Sequence, residues 1–271
     1  MPRRSAFALV DAFTTGQPFS GNPAGVLLLD KFPDIEWMQG VANELQQAET
    51  AFLAPGEEGA FLLRWFTPVA EVALCGHATL ASAHWLWESA VLNEEAVAAF
   101  ATRSGRLTAV RDDDRVVLDF PAVPATQVSS SPELVAALAG AVPVWTGVTD
   151  NAHAGERNML AVLDSEEAVR DLSPDLQEVA RLPVGGLIVT AKRRAGGVVS
   201  RYFAPAYGIP EDPVTGSAHC TIGPYWHEQL GETLSAEQAS RRGGELTVVT
   251  TDAGRVLLAG KARTAATGFM L

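Results

Sequence analysis

The chain has 271 residues, 47% of them hydrophobic and 19% charged, with 20 basic against 32 acidic side chains and a formal net charge of −12. That composition excludes a mostly disordered chain, and the acid excess argues against binding the phosphate backbone of nucleic acids. Two cysteines make no disulfide framework, the apolar run near the start is too short for a signal peptide, and no uncharged stretch is long enough for a membrane span. The expected setting is the reducing cytoplasm.

In chain order, the pattern predicts a strand over 8–13, a turn rich in glycine, asparagine and proline over 16–25, and a second strand near Val26–Leu29. A helix over 35–47, a strand over 49–53 and an aromatic strand over 61–66 follow. A loop then leads into an apolar helix over 78–88, whose stretch from Ala78 to Trp87 carries no formal charge. A helix apolar on every face is a buried helix. Strands over 106–110 and 115–120 flank the polar turn Asp112-Asp113-Asp114. Pro121-Ala122-Val123-Pro124 breaks helix and strand alike and is the expected crossing between halves.

The second half repeats this order. It predicts a strand over 143–148, a turn over 151–157, a strand near Leu160, a helix over 174–180, and strands over 186–191 and 198–203. A helix over 218–230 and a hairpin over 245–259 close it. The residues repeat as well. Arg64-Trp65-Phe66-Thr67-Pro68 recurs as Arg201-Tyr202-Phe203-Ala204-Pro205, and Gly76-His77-Ala78 as Gly216-Ser217-Ala218. Val26–Asp30 and Val41–Leu45 have counterparts at Leu160–Asp164 and Val179–Leu182. Four matches in one order indicate a single duplicated unit rather than a many-repeat solenoid. The expected fold is α+β: two pseudo-symmetric domains, each a curved, mostly antiparallel sheet or barrel around a central helix.

The candidate chemistry lies where each central helix begins. Gly76-His77-Ala78 and Gly216-Ser217-Ala218 sit at expected helix N-termini, which favour anions such as carboxylates. Ordinary capping by Ser217 is the plain alternative. His77 can donate or accept a proton near neutrality or be a satisfied, partly buried histidine, and its place beside Gly76 at a helix start favours substrate contact. Asp212 can cap the helix, hold a substrate amine or orient an acid, whereas Glu211 is expected to be solvated. Glu49 opens a strand on the face of Ala51 and Leu53, and is either a proton-shuttling carboxylate in apolar surroundings or an exposed glutamate at a helix-to-strand junction. Glu71 is open to the same reading or to simple exposure. Cys75 is either a reactive thiol at a helix start or a small buried side chain. The five histidines form no compact metal-ligand motif, no glycine-rich dinucleotide pattern occurs, and nothing requires a cofactor.

Five segments carry a family resemblance: Asp11-Ala12-Phe13-Thr14, Phe19-Ser20-Gly21-Asn22-Pro23-Ala24-Gly25-Val26, Glu49-Thr50-Ala51-Phe52, Cys75-Gly76-His77-Ala78-Thr79 and Glu211-Asp212-Pro213-Val214-Thr215-Gly216-Ser217-Ala218. Together they resemble the PhzF-like family of phenazine biosynthesis, relatives of diaminopimelate epimerase. The resemblance implies domains at 1–121 plus about 262–271, and at 122–261, with the active site in the cleft between them. It implies that Glu49 is the general acid/base, that His77, Asp212 and Ser217 contact substrate, and that Gly76, Ala78 and Gly216 line the two helix starts. It implies a cofactor-free, homodimeric isomerase moving a proton between carbons of a small carboxylate-bearing substrate. In the phenazine pathway that substrate is trans-2,3-dihydro-3-hydroxyanthranilate. The rival enzyme reading is a racemase, epimerase or dehydratase using the Cys75 thiol, whose second thiol would fall near Thr215. A rival of another class is a non-catalytic binding relative.

Overall fold

A computed structural model describes residues 5–150 and 157–270. The chain divides into two compact units, Met1–Asp119 with Ala259–Leu271, and Phe120–Leu258. Among the described residues, no helix is long and apolar enough to cross a membrane.

The first unit runs β1 (Ser5–Thr14), β2 (Asn22–Leu28), α1 (Ile35–Leu45), β3 (Glu49–Pro55), β4 (Phe61–Phe66), β5 (Glu71–Val72), α2 (Gly76–Glu88), β6 (Ala98–Thr102), β7 (Gly105–Asp112) and β8 (Arg115–Pro121). β1 pairs antiparallel with β2, β2 parallel with β3, β3 antiparallel with β4, and β4 parallel with β6. β6, β7 and β8 continue antiparallel.

The second unit runs β9 (Ala125–Gln127), α3 (Pro132–Ala137), β10 (Trp145–Thr149), β11 (Asn158–Val162), α4 (Glu166–Arg170), α5 (Leu176–Arg181), β12 (Gly186–Lys192) and β13 (Val198–Ala204). After a 3-10 turn come β14 (Ile209–Asp212), α6 (Gly216–Leu230), β15 (Thr233–Gln238) and β16 (Gly244–Thr251). The pairing order repeats that of the first unit. β10 is antiparallel to β11, β11 parallel to β12, β12 antiparallel to β13, β13 parallel to β15, and β15 antiparallel to β16. The last strand, β17 (Arg255–Met270), is far longer than the hairpin arm expected to end at 259. Its later part pairs with β1 inside the first unit, from Ser5↔Met270 to Thr14↔Lys261.

Each sheet curves around one helix. In α2, ten of thirteen residues are buried, and the helix packs on β1, β2 and β3. Its hydroxyls are satisfied without water: Thr79 Oγ1 donates to the Cys75 carbonyl at 2.6 Å and Ser82 Oγ to that of Ala78 at 2.7 Å. α6 packs on β15 and β16 and carries Pro224 in its interior. Proline there leaves the carbonyl four residues back without its helical partner. That carbonyl, of Cys220, accepts instead from the Val123 N–H at 2.9 Å, so the 121–124 segment is bound to the central helix.

Outer helices close the opposite faces. α1 lays Met38, Val41 and Ala42 on Leu27, Phe52 and Phe66. α3, α4 and α5 bring Leu134, Ala137, Val169 and Val179 onto Leu187, Val189 and Phe203. The helix expected over 174–180 is therefore joined by two others that sequence periodicity did not show, α3 and α4, of six and five residues. Neither has a counterpart in the first unit, where α1 is the one helix between β2 and β3, so the repeat that pointed to α5 could not point to them. The turn expected over 151–157 lies, Arg157 apart, outside the described residues. β3 departs from alternation: Thr50, Ala51, Phe52 and Leu53 are all buried, because this strand is covered by α1 on one face and α2 on the other.

Phe52 is fully buried and meets Phe66 edge-to-face, with ring centroids 5.5 Å apart. Phe52→Ala is expected to cost about 3–5 kcal/mol in urea unfolding, and Phe52→Leu clearly less.

Candidate active site

Three chain starts converge in the first unit. β2 and β3 are parallel, with Ala24 opposite Glu49, so their first residues, Asn22 and Glu49, lie at one end of the sheet. The loop before β2 is pinned by a 2.6 Å hydrogen bond between the Thr14 and Ser20 hydroxyls. Gly21 has φ +80°, and a Cβ there would come within 2.4 Å of the Ala12 carbonyl oxygen, so this turn requires glycine. α2 supplies the third start. Cys75 is its N-cap in extended conformation, and its side chain makes no capping bond.

His77, on the first turn of α2, is 5% exposed. Its Nδ1 lies 3.2 Å from the Asn22 amide nitrogen and 3.5 Å from Cys75 Sγ. Its Nε2 lies 3.3 Å from Glu49 Oε2, within reach but short of hydrogen-bond alignment. Burial pushes the imidazole down to about 3, so it is neutral at pH 7. With Asn22 donating to Nδ1, the single ring proton sits on Nε2 and faces the Glu49 carboxylate. Glu49 keeps 14% of its side chain exposed. The arrangement can take a proton at Glu49 and donate a hydrogen bond from His77.

The second unit builds a different constellation. Thr215, not Ser217, is the N-cap of α6, and its side chain makes no capping bond. Its hydroxyl donates instead to Asp212 Oδ2. The Thr215 N–H donates to Gln238 Oε1 at 2.9 Å, and Gln238 Nε2 donates to the Asp212 carbonyl at 2.8 Å. His219 is fully buried between the Thr215 carbonyl, 2.8 Å from Nδ1, and the Ser200 hydroxyl, 3.3 Å from Nε2. Burial lowers His219 to about 4. Asp212 is buried, Gly216 and Ala218 are buried, and Ser217 is exposed on the first turn. Gln238, His219 and Ser200 carried no motif in the sequence. The tie between Asp212 and Gln238 spans 26 residues and appears only once β14 and β15 are placed.

Two other carboxylates, Glu71 and Glu211, are held in ion pairs. Glu71 holds the Arg64 guanidinium through two bonds of 2.7 and 2.8 Å and lies 2.7 Å from Arg103, and the Arg64 bond keeps its carboxyl below the usual range. Glu211 is not solvated as expected. It holds Arg201 in the same way, at 2.7 and 3.0 Å. Each arginine also stacks on the phenylalanine two residues ahead, Phe66 and Phe203. The recurring Arg-aromatic-Phe motif is thus a structural bracket in both units. Cys220 is buried in α6, where desolvation pushes its thiol up to about 12. The position matching Cys75 in the second unit is occupied by Thr215.

Gln238→Leu removes the acceptor of the buried Thr215 N–H and is expected to cost about 1–3 kcal/mol of stability. Acid should weaken the fold through its buried histidines. The unfolded chain protonates each near 6.5, while the folded chain resists down to about 3 at His77 and about 4 at His219. Stability therefore falls as pH drops below 6.5, by about 1.4 kcal/mol per pH unit per histidine. His219→Gln is expected to make the fall shallower by about that amount between roughly pH 6 and 4.5. Urea unfolding across pH measures both variants.

Comparison with known proteins agrees with this architecture. Residues 10–268 match the family model for phenazine biosynthesis-like proteins. An uncharacterised isomerase of Pseudomonas aeruginosa is 51% identical over 243 residues, covering 89% of this chain and 88% of its own. A phenazine biosynthesis-like domain-containing protein of Bos taurus is 41% identical over 278 residues, covering 94% of each chain. The crystal structure of a PhzF-family protein from Enterococcus faecalis superposes with a TM-score of 0.92 at 37% identity, over 99% of this chain and 100% of the other. A hydroxyproline epimerase from Agrobacterium vitis shares the fold at 13% identity, with a TM-score of 0.63. The chain belongs to the phenazine biosynthesis-like (PhzF) family of isomerases.

Proposed function

We propose that the protein is a cofactor-independent isomerase that moves a proton between carbons of a small carboxylate-bearing substrate, with Glu49 as general acid/base. The observation that carries this reading is the 3.3 Å approach of a buried, neutral His77 to a partly exposed Glu49 beside a helix start with no side-chain cap.

Glu49 takes a proton from a carbon next to a double bond of the substrate. The electron pair left behind spreads over the unsaturated system toward the substrate carboxylate. The Nε2–H of His77 and the first N–H groups of α2, at Gly76, His77 and Ala78, stabilise that charge. Glu49 then returns the proton to a different carbon. The step is redox-neutral and needs no co-substrate. Asp212, Gly216 and Ser217 are assigned to substrate binding on the strength of their place at the start of α6, the counterpart of α2 in the repeat.

The thiol reading has one observation in its favour, the 3.5 Å contact of Cys75 Sγ with His77 Nδ1. Against it, Asn22 also faces Nδ1, and the matching position of the second unit holds a hydroxyl committed to Asp212. Turnover of dihydroaromatic acids and of amino acids in heavy water separates the readings. Glu49→Gln is expected to lower kcat by about 10²–10⁴-fold. Cys75→Ala is expected to leave it within a few-fold, and deuterium is expected at one product carbon. Loss of activity in Cys75→Ala with retention in Glu49→Gln overturns the glutamate mechanism. Ligand binding without turnover by any of these compounds favours a non-catalytic relative.

A further inference from the structure

Glu49, Cys75 and His77 bring a carboxylate, a thiol and an imidazole to one point. One ligand atom from each lies within 4.8 Å of the other two. We propose that this cluster binds a soft divalent cation of the zinc and cadmium class, and that the bound ion blocks the proton-transfer site. The blocking rests on Glu49 being the acid/base; the binding does not.

Three observations carry the proposal. The first is the donor set. Sulfur, imidazole nitrogen and carboxylate oxygen together select zinc-like ions over magnesium or calcium, which take oxygen shells. The second is spacing. Zinc bonds of about 2.0–2.3 Å in tetrahedral array place ligand atoms about 3.3–3.6 Å apart. His77 Nε2 already stands 3.3 Å from Glu49 Oε2, and one ligand atom of each residue lies within 4.8 Å of the other two. Cys75 Sγ, now 3.5 Å from Nδ1 of the same ring, has to turn toward Nε2 to complete the set. The third is His77 Nε2 itself. It is buried, makes no hydrogen bond, and faces the cluster. A buried polar nitrogen in that condition gains a partner when an ion arrives.

The surroundings fit coordination as well. Cys75 and His77 sit two residues apart at a helix start, and Glu49 begins a strand covered on both faces, so the ligands ride on rigid backbone. Binding sends the thiol proton to solvent. The imidazole remains neutral with its proton on Nδ1, where the Asn22 amide, turned about, accepts it as an outer-shell partner. Three protein ligands leave a fourth position for water or a substrate oxygen. The sequence shows none of this as a motif, because Glu49 is 26 residues from Cys75.

The test is a titration of the chelator-treated full chain with cadmium chloride, read by the ultraviolet thiolate-to-cadmium charge-transfer band. Wild type and Cys220→Ala are expected to bind one equivalent, and zinc chloride to compete the band away. Cys75→Ala and Cys75→Ser are expected to lose the band. Glu49→Gln and His77→Gln are expected to bind roughly tenfold more weakly or worse. Each variant's melting curve accompanies the titration, and the two Cys75 variants check each other for folding. No band in wild type, or a band that survives in Cys75→Ala and vanishes in Cys220→Ala, overturns the site. Zinc is further expected to inhibit turnover, reversibly on adding EDTA. Full turnover by cadmium-loaded protein overturns the blocking and the Glu49 reading together, and leaves the metal site standing.

Discussion

A helix that carries no charged side chain from Gly76 to Trp87 has no face to offer to water. It must be surrounded, and a curved sheet is the element that can surround a single helix with short connections. The rest of the first unit follows from that demand. Burying α2 also fixes its N-terminus, and with it the backbone N–H groups that no side chain caps. By contrast, α1, α3, α4 and α5 are closed by Asp34, Ser131, Ser165 and Asp175 in the ordinary way. The two helices left without side-chain caps are the two central ones.

Duplication supplied two such helix starts, and packing made them unequal. Glu49 opens β3, and the strand in the same place of the second unit, β12, opens with Gly186. No carboxylate fits there. A Cβ on Gly186 would lie 2.1 Å from the Tyr202 hydroxyl and 2.6 Å from Asn158 Oδ1. Those two groups fill the space with a 3.0 Å hydrogen bond. Asn22 and Asn158 each begin the first strand of a parallel pair, yet one meets a histidine and the other a tyrosine. The arginine brackets, by contrast, survive in both units because they hold the aromatic strand rather than any chemistry.

Much of the fold class was legible from residues alone. Composition marks the uncharged helix, and the Arg-aromatic-Phe repeat marks the duplication. What stayed hidden is hidden for physical reasons. α3 and α4 have no counterpart in the first unit, so the repeat that revealed α5, itself six residues long, could not reveal them. Both faces of β3 are covered, so alternation is erased where Glu49 begins it. Glu211 reads as a surface charge because its partner, Arg201, lies across a turn on a neighbouring strand. Among the candidate residues, Glu49 and His77 in the first unit and Asp212 in the second stood out by residue type and motif. Gln238 did not, since an amide that braces a loop from two strands away leaves no local pattern. Asn22 was visible only as one letter of a motif, and its role as tautomer-setting neighbour of His77 depends on a contact over 55 residues.

The neutrality of His77 decides what Glu49 can do. A protonated imidazole 3.3 Å from the carboxylate would hold it as an ion pair and oppose its taking a proton. Burial prevents that charge from forming, since an imidazolium here would lose its hydration with only one partly aligned carboxylate in return. On the proposed mechanism, developing negative charge would therefore meet fixed dipoles, a ring N–H and the start of a helix, rather than a mobile proton. In the proposed reaction such dipoles would cost no reorganisation and would leave the carboxylate able to carry the proton from one carbon to another. An imidazole that stays neutral is also the form that can ligate the proposed cation, once its ring proton moves from Nε2 to Nδ1. A carboxylate, a thiol and an imidazole gathered at one point are the donors that the proposed soft cation prefers.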